Sequence, residues 1–189
     1  AFPPPPINKN EVLRYAGCKG ESDDVFKLLN GCLAEIADTL TYKVCYCVLP
    51  LNINDGVCDF GVFKVKSQSL ALNMNGCNSA LVFAATIGVE IDRLITKYGY
   101  LSPAKALMFQ AIGAERIEAL CDAFCNAFAQ ESKASLSKRF SPGYGDLPLA
   151  IQKQIFSVLN CPKHIGLTLN ESLLMSPSKS VTAFIGIKA

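Results

Sequence analysis

Residues 102–130 read SPAKALMFQAIGAERIEALCDAFCNAFAQ, and this stretch sets the architecture. Ser102 followed by Pro103 forms an N-cap and first-position pair, because the hydroxyl can accept an orphan amide while proline has no amide to leave unpaired. The spacing predicts one long helix running to about Gln130. Its small residues, Ala104, Ala106, Ala111, Gly113, Ala114, Ala119, Ala123 and Ala127, let neighbouring backbone approach closely, while Ile112, Ile117, Leu120, Phe124 and Phe128 supply larger knobs. A helix of that kind suits the centre of a molecule, packed against a sheet.

Working upstream, Val89–Tyr98 reads as a second helix, and the apolar run ALVFAATIG from Ala80 to Gly88 reads as a buried strand. Leu70–Met74 fits a short helix or a strand. Tyr42, Val44, Tyr46 and Val48 alternate as β-formers up to Pro50, and the segment from Gly56 to Lys66 is expected to pair with them across the NINDG reversal. Between Ser22 and Leu40, Val25, Leu28, Leu29, Cys32, Leu33 and Ile36 recur at helical spacing behind the capping oxygens of Ser22, Asp23 and Asp24. Residues 1–10, beginning AFPPPP, read as a proline-rich arm and not as a secretory signal, since they have no basic start and no apolar run.

Downstream, Leu136–Phe140 reads as a short strand leading into KRFSPGYGDLP, residues 138–148. Leu147–Asn160 then reads as a helix with Asp146 near its start, and HIGLTL and SVTAFIGI finish as strands. Helices and strands mix without regular βαβ alternation. The fold class is therefore α+β, with a mainly antiparallel sheet flanked by helices and one long Ala-rich central helix. At 189 residues the chain is expected to be a single domain, 1–189.

Composition removes whole classes of function. The formal charge is +2 and only 18% of residues are charged, which gives no electrostatic footprint for nucleic acid. Apolar runs fall short of the roughly 20 residues needed to cross a bilayer, so no membrane role is expected. The nine cysteines are odd in number and contain no CxxC pair, which favours reduced thiols and a cytoplasmic location. Cys45, Cys47, Cys121 and Cys125 would make a metal or redox site only if separate elements converged; otherwise they are small buried hydrophobes. The single histidine, His164 beside Pro162, leaves little for a histidine-based triad or zinc centre, and reads as a turn residue or a lone proton-transfer group. GxGxxG and GxxxxGK[ST] are both absent.

The loop at 138–148 stands apart. Pro142 and Pro148 stiffen it, while Gly143 and Gly145 permit close approach and unusual dihedrals around Tyr144. Arg139 offers a planar fork for a carboxylate, and Tyr144 a flat face and a hydroxyl. A plain structural turn with a surface arginine fits the same residues. Glu115 and Glu118 read as solvated helix charges, and Glu171 either caps the turn toward Met175 or points into a pocket.

The order Arg139-Phe-Ser-Pro-Gly-Tyr144, then LTLNES ending in Glu171 and Ser172, then Met-Ser-Pro and Lys-Ser-Val181, with IEAL upstream, resembles the S-adenosylmethionine-binding activation (reactivation) domain of cobalamin-dependent methionine synthase. The likeness is best over about Ser79–Ile187. It implies a twisted antiparallel sheet flanked by helices and S-adenosylmethionine in a shallow surface groove. Arg139 would hold the methionine carboxylate, Ser141, Pro142 and Gly143 would contact the ligand through their backbone, Tyr144 would lie near the methyl donor, and Glu118 and Glu171 would complete the set. The resemblance is to a standalone, shortened form without the family's later tyrosine-bearing strand. The chain also has no Asp-x-His-x-x-Gly signature, so cobalamin would come only through a partner: a cobalamin-binding methionine synthase or other corrinoid protein, with a flavodoxin-like or iron–sulfur electron donor as a further implied partner. The implied function is to support reductive reactivation and methylation of that partner in trans; the rival is a non-catalytic docking module that has lost S-adenosylmethionine binding.

Overall fold

The computed structural model describes residues 1–18 and 22–188. The elements in chain order are α1 (Lys9–Tyr15), α2 (Asp23–Ile36), β1 (Lys43–Pro50), β2 (Asn52–Asn54), β3 (Val57–Asp59), β4 (Lys64–Lys66), α3 (Gln68–Asn73), β5 (Ser79–Thr86), α4 (Glu90–Leu101), α5 (Pro103–Ser132) and β6 (Ser135–Leu136). A 3₁₀ turn (Leu149–Ile151), α6 (Gln152–Leu159), α7 (Cys161–Ile165), β7 (Thr168–Leu169), β8 (Met175–Ser176) and β9 (Ser180–Lys188) follow.

The main sheet runs in the order β1-β5-β9-β6 with every pair antiparallel. β5 is apolar from Ala80 to Ala85 because it is covered on both faces. Leu81, Phe83 and Ala85 pack with Ala183 and Ile185 of β9 against α5, α2 and α4. Ala80, Val82 and Ala84 join Phe184 against α3, α6 and the small sheet on the other side. The period of two along β5 and β9 thus divides the core into two halves, one on each side of the sheet. Helix α5 is capped as its sequence predicts, with Ser102 Oγ accepting from Lys105 N, and it ends at Lys133 in the left-handed conformation.

Several sequence expectations are corrected. The segment from Gly56 to Lys66 does not pair with β1, whose partner is β5 from Lys43↔Thr86 to Pro50↔Ser79. Asp55 and Gly56 both have positive φ (47° and 70°), the geometry of a tight two-residue hairpin, so β2 and β3 close on each other and extend to β4 as a separate small sheet. Leu70–Met74 resolves as helix, within and just past α3. HIGLTL is not one strand: His164 lies exposed in the last turn of α7, which Gly166 terminates, and only Thr168–Leu169 extends to pair with β8. Ser22 sits at the N-cap of α2 but makes no side-chain cap bond. The 136–140 strand is interrupted, because Ser137 Oγ takes over as acceptor for Gly186 N before Phe140 rejoins β9 opposite Phe184.

The proline-rich arm is shorter than 1–10 and is bound to the core. Asn8 caps α1 by accepting from Glu11 N, a helix too short to be read from periodicity. Phe2 N donates to Tyr42 O, and the Phe2 ring meets Phe124 of α5 edge-on. Among the described residues no helix is long and apolar enough to cross a membrane.

Candidate functional site

The open edge of β9 creates the site. Phe140 and Phe184 exchange both main-chain hydrogen bonds, at 2.9 Å each, but the chain then leaves the sheet as residues 141–148. Beside the N-terminal end of β9 this leaves a cavity of about 900 Å³, between the loop, α5, α3 and α6. Alternation along the chain divides its chemistry. Phe140 lies beside Phe184 on the α3/α6 side, so Arg139 projects to the α5 side.

On that side Arg139 Nη2 donates to Glu118 Oε2 at 2.8 Å and to Asp122 Oδ1 at 2.9 Å. Glu118 and Asp122 are four residues apart and share one face of α5. Both carboxylates use Nη2, so neither makes the two-pronged contact that would engage the whole fork. Desolvation opposes the charge on Arg139, yet Cys121, Glu118 and Asp122 together raise its pKa above the ordinary value. Burial pushes the neighbouring thiols up, Cys121 to about 12 and Cys125 to about 11, which makes them protonated and poorly nucleophilic at neutral pH.

The loop is braced from within and from outside. Tyr144 N donates to Ser141 O, Leu147 N to Tyr144 O, and Gly143 N to Leu147 O. Gly143 takes φ 91° and Gly145 φ 53°; a Cβ at Gly145 would lie 2.6 Å from Ser69 Oγ, so only glycine lets the loop close on α3. The outside brace is Asp146. Instead of standing at the start of α6, it accepts from Ser67 Oγ (2.5 Å), Gln68 N (2.7 Å) and Ser69 N (3.1 Å), supplying the anionic cap of α3 from across the fold. The Ser67 hydrogen bond is the largest cause holding the Asp146 carboxyl down at about 2.

Of the residues singled out from the sequence, Glu118, Arg139, Ser141, Pro142 and Tyr144 line the cavity. Tyr144 is 65% exposed at the mouth, with its ring 6.4 Å from that of Phe140. Gly143 is exposed but not among the lining residues, and Glu171, exposed in the β7–β8 turn, is also outside the lining. Glu115 is not a solvated charge: it is 4% exposed and paired with Arg116. Cys121 and Cys125 lie on the α5 side of the sheet and Cys45 and Cys47 on the other, so the four do not converge. Among the described residues no group of three or more His, Cys, Asp or Glu could hold a metal ion.

Sequence reasoning missed Ser69, Asn73, Gln152 and Thr182 as lining residues. Nothing local marks them. Asn73 is on α3, fixed by Ser137 Oγ at 3.0 Å, and Gln152 and Thr182 come to the cavity only through the packing of α6 and β9.

Comparison with known proteins bears on this geometry. The family described as vitamin B12 dependent methionine synthase, activation domain, matches residues 70–188. A crystal structure of the MetH reactivation domain bound to AdoHcy is similar with a TM-score of 0.72 at 16% identity, over 92% of this chain and 71% of that one. At that identity the likeness is one of fold. No curated protein matches the chain.

Proposed function

We propose that this chain, which belongs to the vitamin B12-dependent methionine synthase activation domain family, works as one activation-type unit that binds S-adenosylmethionine in the cavity beside β9 and acts in trans on a cobalamin-binding partner. The observation that carries the reading is Arg139: the arginine of the Arg-x-x-Pro-Gly-Tyr loop stands at the wall of a 900 Å³ cavity with Glu118 beside it. That volume is within the usual range for small-molecule sites, about 300–1,000 Å³.

The residues fit an S-adenosyl amino acid. Arg139 takes the carboxylate, and Glu118 faces the ammonium or sulfonium charge, each ligand charge meeting its opposite. The rigid turn at Ser141–Gly143 presents backbone to the ligand, and Tyr144 stands exposed at one side of the mouth, its ring available to the ligand. Glu171, exposed in the β7–β8 turn, stays outside the cavity lining and is accessible to a partner. When bound, S-adenosylmethionine supplies an activated methyl group, and the corrinoid of the partner supplies its acceptor. This chain contributes position: it holds the amino-acid end fixed and leaves the mouth open toward the partner. A flavodoxin-like or iron–sulfur protein would supply the electrons for the same partner.

Titration calorimetry with S-adenosylmethionine on wild type and Arg139→Ala tests the assignment. The expected result is loss of about 10²-fold in affinity, the scale of one buried charge-assisted contact. Wild-type protein that binds neither S-adenosylmethionine nor AdoHcy, yet still captures a cobalamin-loaded methionine synthase, would establish the docking-only alternative instead.

A further inference from the structure

Cys45 Sγ and Cys161 Sγ lie 4.0 Å apart, although their residues are 116 positions apart in the chain. Cys45 is half-buried in β1, and Cys161 opens α7 with no exposed surface. Cys45, Cys47 and Leu49 share the face of β1 that packs into the same cluster as Cys161 and Ile165 of α7. A further approach of about 2 Å would bring the two sulfurs to the roughly 2.05 Å of a disulfide. Helix α7 is five residues long, set between the left-handed Asn160 and Gly166, so a small shift of α7 with rotation of the two side chains takes up that distance. Cys47 is no rival partner for Cys45. It stands two residues along the same strand, about 6.7 Å away, whereas the Cβ atoms of a disulfide are about 3.8 Å apart. Cys121 and Cys125 lie on the other side of the sheet. The contact also makes the two sulfurs unequal. Cys161 donates its thiol hydrogen to Cys45, which lowers the pKa of Cys45 and raises that of Cys161. Burial pushes Cys32, Cys47, Cys58, Cys77, Cys121 and Cys125 up, so Cys45 is set apart from them as the thiol that ionises more readily.

We propose that Cys45 and Cys161 are a site of reversible covalent modification, a thiol pair that a peroxide oxidises to a disulfide joining β1 to α7. The Cys45 thiolate attacks one peroxide oxygen: an S–O bond forms, the O–O bond breaks, and the departing hydroxide takes up a proton to leave as water. Cys161 then attacks the sulfur of the resulting sulfenic acid. The S–S bond forms, the S–O bond breaks, and the oxygen leaves as a second water with the Cys161 proton. Two thiols lose two electrons and two protons, and one peroxide is reduced to two waters. Cys45, half-buried, is open to so small an oxidant, and Cys161, fully buried, is held where only Cys45 meets it. The link fixes α7, and with it the end of α6 at Leu159, to the sheet. Neither cysteine lines the cavity beside β9, so this inference stands independently of the S-adenosylmethionine reading.

Peptide mapping of the full chain tests this. Reduced wild-type protein is treated with hydrogen peroxide, its remaining thiols are alkylated, and it is digested without reductant by chymotrypsin, which cuts at Tyr46 between Cys45 and Cys47. The expected product is a Cys45–Cys161 cross-linked peptide that dithiothreitol releases, with the other cysteines alkylated. The oxidised protein should melt roughly 5–10 °C above the reduced one, and the gain should vanish on reduction. Cys161→Ser should leave Cys45 as a sulfenic acid that dimedone traps, Cys45→Ser should leave Cys161 an unoxidised thiol, and Cys47→Ser should cross-link as wild type does. Peroxide-treated wild type in which Cys45 pairs with a different cysteine, proceeds to sulfinic acid while Cys161 stays alkylated, or remains a thiol while other cysteines oxidise would overturn the proposal. Oxidation of Cys161 in Cys45→Ser as readily as in wild type would overturn the role given to Cys45. The wild-type map needs no variant, so it decides even where a substitution fails to fold.

Discussion

Helix α5 supplies the glutamates of two arginine–glutamate pairs, one turn apart, and the pairs do opposite work. Arg116 is 1% exposed and spends every arm of its guanidinium: Nε and Nη2 meet Glu115, Nη1 donates to Pro5 O at 2.6 Å, and Nη2 to Pro6 O at 2.7 Å. Glu115 in turn accepts from Asn8 N at 2.9 Å. Arg139 meets Glu118 and Asp122 through one nitrogen, at the wall of a cavity, with the Glu118 side chain 45% exposed. The first pair is closed and belongs to the fold, riveting the N-terminal arm to the core. The second is unfinished, and an unfinished fork beside a cavity is what a ligand carboxylate requires.

The comparison breaks most visibly at the closed pair. Arg116→Ala leaves Glu115 buried without a counter-charge and should cost about 3–5 kcal/mol in denaturant unfolding. Replacing both by apolar residues, Glu115→Leu with Arg116→Met, should recover most of that loss, because the penalty comes from the uncompensated charge. The proline carbonyls would still lose their donor, so the double variant should free the arm, read as increased amide exchange at Phe2. A single variant that unfolds no more easily than wild type would mean that neither the ion pair nor its hold on the arm contributes to stability.

A smaller effect, and one that separates binding from folding, comes from Asp146. It holds the loop of Arg139 to α3, so Asp146→Ala should lower AdoHcy affinity about tenfold through loss of loop order, although Asp146 is not part of the cavity lining. Its carboxyl is held at about 2, below the ordinary 3.8, so its contribution is complete above that ordinary value and disappears as pH falls through about 2. Amide exchange of Gln68 and Ser69 should therefore remain protected at pH 4 in wild type. In Asp146→Asn it should be faster already at neutral pH and insensitive to acid below 4.

These regions were unequally legible in the sequence. Helix α5 announced itself through Ser102, Pro103 and a long apolar period, and Arg139 through the proline–glycine loop around it, because both signals are local. Asp146 was misassigned because the nearest helix start in sequence is α6, whereas the amides it caps belong to α3, which only the closed fold brings near. Glu115 read as a solvent charge, and its pairing with Arg116 was not foreseen, because adjacent helix residues do not normally face each other. What turns them together is the set of carbonyls on the arm, invisible to helical spacing. Gln152 and Thr182 carry no local mark at all, since only the packing of α6 and β9 brings them to the cavity lining. The small sheet of β2–β4 was hidden for a related reason: strand content was evident, but β1 and β3 compete for neighbours, and the tight turn at Asp55–Gly56 decides the pairing locally.

The finest test asks whether the open pair contributes to stability at all. Glu118→Gln keeps volume and one oxygen acceptor while removing charge, and Asp122 still reaches Arg139 at 2.9 Å. A partly exposed ion pair contributes about 0–1 kcal/mol, so the unfolding midpoint should barely move. Ligand binding should respond in a direction that identifies the role of Glu118. If it faces the sulfonium, the Glu118→Gln variant loses more affinity for S-adenosylmethionine than for AdoHcy, because only the former carries that charge. If both ligands weaken alike, Glu118 acts at the amino-acid end that the two share, on the ammonium or by holding Arg139, and not at the sulfur.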